Sequence, residues 1–93
     1  MQMHIDQLRA VTTLLYDELA TVNGGVVDIP DVLYWSIPLE ERRDPYKHPR
    51  DLTIGHTSDD VGHLNAILTG EHEPIRYALV WLAAVLREVG EGA

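Results

Sequence analysis

The chain has 93 residues, of which 45% are hydrophobic and 24% are charged, and its formal net charge at pH 7 is -8. These values are typical of one small globular domain and argue against a largely disordered chain. The excess of 15 acidic over 7 basic residues disfavours general binding to the phosphates of nucleic acids, and the lack of cysteine removes disulfides, thiolate metal sites and cysteine nucleophiles.

The N-terminal sequence MQMHIDQL has no basic region followed by an apolar run, as a signal peptide would have. No apolar segment reaches the roughly 20 residues that a membrane-spanning helix needs. We therefore expect no contact with a membrane and a cytoplasmic location.

The first predicted element is an amphipathic helix over residues 5–22. Its apolar positions step by three and four, and Asn23, Gly24 and Gly25 then end it. The spacing resembles a coiled coil, but it lasts for fewer than three heptads, so packing against the last helix is the favoured interpretation. The stripe consists of Ile5, Leu8, Thr12, Leu15, Leu19 and Val22, widened by Val11 and Leu14.

Two short strands are predicted next, over residues 32–37 and 52–56, because the first is rich in β-branched and aromatic residues and the second alternates. In the first strand Leu33, Trp35 and Ile37 share a face that we expect to point into the core, which puts Tyr34 on the outer face. In the second strand we expect Leu52 and Ile54 to point inward. The strands would pair in antiparallel fashion and need helices to pack on, because two strands alone are marginally stable.

The segment 38–51 between the strands is predicted to be a long loop, which is usually functional or flexible. Its four basic and four acidic residues cancel, so a protein partner is a better interpretation than a nucleic acid. The bases are Arg42, Arg43, Lys47 and Arg50, and Tyr46 and His48 lie among them.

Two helices complete the chain. Thr57 or Ser58 is expected to cap a helix that runs to about Leu68, with Thr57 and Asp60 as a variant capping box and Gly70 as the end. A short turn then leads to a helix over residues 74–89 that ends before Gly90 and is apolar almost all round. It is interpreted either as the core helix of the domain or as a helix that lies partly in a homo-oligomer interface.

The order is therefore helix, strand, long loop, strand, helix, helix. It predicts a single domain over residues 1–93 of the α+β class, mostly helical, with a small two-stranded antiparallel sheet packed on three helices. Should the strands not form, the alternative is a three-helix protein with an irregular middle.

One polar cluster, His56, Asp59, Asp60 and His63, has ligand types and helical spacing that suit a divalent metal, which could activate water for hydrolysis. Helix capping by the two aspartates and a surface position for His63 explain the same residues without a metal. Ser58 invites a comparison with serine hydrolases, but no turn that would expose a nucleophile surrounds it. We assign no catalytic residue.

The sequence favours a non-catalytic protein-interaction module that forms a homodimer and has no cofactor. By analogy alone, small acidic antitoxins and immunity proteins neutralise basic partners in this way. The alternative is a metal-binding protein or metal-dependent hydrolase built on the polar cluster, which leaves the question of enzymatic activity open. The residues expected to make the interactions are Tyr34, Arg42, Arg43, Tyr46, Tyr77, Val80, Trp81 and Ala84.

Overall fold

The computed structural model describes residues 1–36, 53–71 and 74–92. Within them the chain forms an α+β fold, mostly helical, which confirms the predicted class and the predicted order of elements. The predicted loop over 38–51, and with it Arg42, Arg43 and Tyr46, lies outside the described residues. The elements are α1 (Ile5–Asn23), β1 (Leu33–Ser36), β2 (Thr53–His56), α2 (Thr57–Leu68) and α3 (Ile75–Gly92).

Helix α1 begins and ends where the sequence predicts. The backbone N–H of His4 donates to Gln7 Oε1 at 2.8 Å, and the N–H of Gly24 donates to the Ala20 carbonyl at 2.8 Å. Gly24 has φ 76°, a left-handed conformation in which glycine carries no steric penalty.

The expected packing of α1 on the last helix is wrong. No residue of α1 is buried, and even Leu15, in the middle of its stripe, is 56% exposed. The reason lies in α3, whose covered side is packed against α2.

The two strands pair in antiparallel fashion, with Tyr34 opposite Gly55 and Trp35 opposite Ile54. Their faces are the reverse of those expected. Leu33 and Trp35 are each 67% exposed and Ile54 is 61% exposed, whereas Tyr34 is half-buried. Tyr34 lies on the inner face because the Asp60 carboxylate on α2 accepts a hydrogen bond from it there. The glycine opposite, Gly55, leaves room for the tyrosine ring.

Thr57 joins the sheet to the segment that precedes β1. Its side chain is 1% exposed, and its hydroxyl donates to the Pro30 carbonyl at 2.6 Å and accepts from the backbone N–H of Val32 at 2.9 Å. The backbone N–H of Thr57 donates in turn to the Val32 carbonyl at 3.0 Å. The expected capping role of Thr57 or Ser58 is therefore wrong, since His56 precedes the helix without a side-chain cap and the Thr57 hydroxyl is used across the chain.

Helices α2 and α3 form a hairpin, and Gly70 in the turn has φ 99°. Among the residues that the structure describes, the buried hydrophobic residue is Val85, on α3. Helix α3 runs on to Gly92 instead of ending before Gly90. A glycine inside a helix costs only about 1 kcal/mol relative to alanine, so it permits an end without imposing one. No helix in the described part of the chain is long and apolar enough to cross a membrane.

Candidate functional site

A cleft lies between the inner face of the sheet and the hairpin of α2 and α3, with a volume of about 450 Å³. Its wall combines aromatic rings with carboxylates and histidines, and we call it the sheet–helix cleft. Aromatic residues and a few converging polar groups are typical of binding sites in proteins. The residues that line it include Tyr34, Asp60, His63, Tyr77 and Trp81.

Tyr34 and Asp60 form the polar centre of the sheet–helix cleft. The Tyr34 hydroxyl donates to Asp60 Oδ2 at 2.5 Å, and Asp60 is 4% exposed in the first turn of α2. Burial, together with the hydrogen bond to the Asp60 carboxylate and its charge, raises the pKa of Tyr34 to about 12. The phenol is therefore protonated at neutral pH and acts as a hydrogen-bond donor.

Gly55 makes this hydrogen bond possible. The Tyr34 ring lies over Gly55 of β2, so a Cβ atom at position 55 would overlap it. Glycine in a strand commonly marks a place where another group approaches the backbone closely. The cross-strand pair of Tyr34 and Gly55 thus fixes the direction of the tyrosine side chain.

His56, at the end of β2, lies beside two aspartates and a serine. Its Nε2 pairs with Asp31 Oδ1, and its Nδ1 is 3.9 Å from Asp59 Oδ2. Ser58 Oγ is 3.2 Å from Nδ1 and 3.4 Å from Nε2 of the same ring. An oxygen almost equally far from both ring nitrogens lies off the lone-pair direction of each, so this contact is not aligned for proton transfer.

The four predicted metal ligands do not share a centre. Asp60 is engaged by Tyr34, and the ring of His63 stacks on that of Trp81 with centroids 4.3 Å apart. His56 and Asp59 lie near each other, with Asp31 as the closer partner of the histidine. Among the residues with described positions, no three histidine, aspartate or glutamate side chains group as a metal site. Metal binding by His56, Asp59, Asp60 and His63 stays a prediction from the sequence.

The predicted interaction residues of α3 occupy one side of the cleft and the surface next to it. Tyr77 and Val80 are exposed, whereas Trp81 and Ala84 are half-buried. The rings of Tyr77 and Trp81 are 6.2 Å apart and nearly parallel, which continues the stack that begins at His63. Tyr34, expected on an outer contact patch, instead faces this cleft.

Two exposed apolar surfaces lie outside the cleft. The first is the outer face of the sheet, formed by Leu33 and Trp35, two residues that the sequence predicts in the core. The second is the stripe on α1. Strand alternation could have indicated the first surface, because one face of β1 carries Trp35 whenever the other carries Tyr34.

Comparisons of the chain with protein-family models, with curated proteins and with solved structures find no match in any of the three.

Proposed function

We propose that this chain is a non-catalytic protein-interaction module that acts as a homodimer. The observation that carries the proposal is the distribution of apolar side chains. Among the described residues, Val85 is the one buried hydrophobic residue, while eighteen large hydrophobic residues are exposed. Apolar surface on this scale usually marks a protein–protein contact.

The chemistry of the cleft supports a role in binding. The single O–H of Tyr34 is used in the hydrogen bond to Asp60, and the serine beside His56 is not aligned for proton transfer, so neither group is placed for acid–base chemistry. Tyr77 and Trp81 are residue types that often anchor protein interfaces. The net charge of -8 favours a basic protein as a further partner, because opposite charges speed association.

Thermal unfolding at several protein concentrations tests the proposal. A homodimer that stabilises its own fold has a Tm that rises with concentration. We expect this rise for the unaltered chain and for Thr13→Glu, which lies off the α1 stripe. We expect Leu15→Glu, within the stripe, to lose the dependence and to have a lower Tm. A Tm of the unaltered chain that stays constant over a hundredfold range of concentration would contradict the proposal.

A further inference from the structure

Helix α1 carries a two-and-a-half heptad pattern that is open to solvent. In heptad notation Ile5, Thr12 and Leu19 take the a positions, and three d positions alternate with them at Leu8, Leu15 and Val22. From first to last, these residues span about 26 Å along the helix at 1.5 Å per residue. We call these six residues the α1 seam.

The polar member of the α1 seam is compatible with burial. The Thr12 hydroxyl is already bonded within its own helix, to the carbonyls of Leu8 at 2.8 Å and Arg9 at 3.0 Å. A side-chain hydroxyl with its hydrogen bond satisfied can be covered at little cost. The six positions can therefore form one continuous buried contact.

The area of the seam suits a second copy of the same helix. A fully buried aliphatic side chain removes roughly 60–120 Å² from water. The six seam residues and the flanking Val11 and Tyr16 would together remove about 500–1,000 Å² per chain, which brackets the value of about 800 Å² for a standard interface.

The charges of α1 select the orientation. The C-terminal half carries Asp17 and Glu18, and the N-terminal half carries Asp6 together with Arg9, the one basic residue of the helix. A parallel pair would place the two acidic halves side by side. An antiparallel pair separates the two acidic halves and places the helix dipoles in opposite directions, which is favourable. It also brings Arg9 of each copy next to the ring of Tyr16 of the other.

We infer that α1 pairs in antiparallel orientation with α1 of a second copy, about a twofold axis that passes between Thr12 and Leu15. This inference rests on the proposed homodimer and specifies its interface. The layers of the pair match Ile5 with Val22 of the other copy, Leu8 with Leu19, and Thr12 with Leu15.

The absence of cysteine from the chain allows a direct test by disulfide cross-linking. In the antiparallel pair, residue 8 lies level with residue 19 of the other copy, while the two residues 8 are about 16 Å apart along the axis. A disulfide cannot join Cα atoms more than about 7 Å apart. Leu8→Cys and Leu19→Cys should therefore form cross-linked dimers when mixed and oxidised, and not when oxidised separately.

A second pair, Ile5→Cys with Val22→Cys, repeats the test at the ends of the α1 seam, and Thr13→Cys is the matched control away from it. Cross-linking in the mixtures alone is the expected result, seen on non-reducing gels. Cross-linking of each variant with itself would show a parallel pair and overturn the inference. A dimer of the unaltered chain without cross-links in either mixture would place the interface elsewhere and also overturn it. A monomeric unaltered chain would overturn the proposed function itself.

Discussion

Replacing Thr57 with valine removes one hydroxyl from the best-buried side chain of the described structure and leaves its shape almost unchanged. The hydroxyl donates to Pro30 at 2.6 Å and accepts from Val32 at 2.9 Å. After the substitution the Pro30 carbonyl can accept a hydrogen bond from water, because Pro30 is exposed. The N–H of Val32 is less accessible to water, because Val32 is half-buried. Two lost bonds and one poorly satisfied donor give a loss of about 2–3 kcal/mol in the free energy of unfolding.

Urea unfolding followed by circular dichroism, at one fixed protein concentration, measures this loss. In a domain of this size it corresponds to a fall in Tm of roughly 10–20 °C. Thr53→Val is the matched control, because its exposed hydroxyl makes one long contact of 3.4 Å to the Ser36 carbonyl. That control should change the stability by less than about 0.5 kcal/mol. Equal effects of the two substitutions would refute the assigned role of Thr57.

Three further predictions concern the cleft and the last helix. Gly55→Ala should cost about 1–3 kcal/mol in urea unfolding, because the new methyl group pushes the Tyr34 ring away from Asp60, and the cost should vanish in a Tyr34→Ala background. The pKa of Tyr34, about 12 in the folded chain and 10 when unfolded, means that the unfolded state loses its proton first. The stability that the protonated Tyr34 hydroxyl contributes is complete below pH 10 and is lost as the pH rises to 12. Plots of Tm against pH for the unaltered chain and for Tyr34→Phe should therefore converge over that range. Parallel plots would exclude this contribution of Tyr34. Val80→Asp, at a site 43% exposed, should keep the helical circular dichroism that Val85→Asp, at a site 7% exposed, should abolish; loss of signal in both would place Val80 in the core.

The elements of the fold were predictable from local patterns. The apolar spacing of residues 5–22 and the glycine at position 24 define α1 to within one residue. Strand β1 follows from β-branched and aromatic residues after Pro30, and strand β2 follows from the alternation of residues 52–56. The spacing of apolar residues and the residue types of turns are local properties, so each segment's own sequence predicts them.

The packing of those elements was not predictable in the same way. The heavier face of β1, with Leu33 and Trp35, was expected inside, yet one hydrogen bond to Asp60 and the space over Gly55 favour Tyr34 there. Such a choice depends on residues 21 and 26 positions away in the chain. The hydroxyl of Thr57 was interpreted as a local cap for the same reason, since its actual partners lie 25 and 27 residues earlier.

In the candidate site, too, local spacing was predictable from the sequence and contacts between elements were not. Sequence spacing brought His56, Asp59, Asp60 and His63 together as one ligand set, because residues three or four apart share a helix face. In the structure, partners on other elements separate them: Asp60 turns to β1 and His63 stacks on α3. No local signal indicated either partner.

Native mass spectrometry of the untagged chain tests the central claim most directly, since it reports the number of subunits and any bound mass together. The account predicts a species of twice 10.5 kDa without additional mass. A bare monomer at every concentration would contradict it, because the exposed apolar surfaces of α1 and the sheet would then have no second copy to cover them. A metal mass on each chain would contradict it as well, and would return attention to His56 and Asp59.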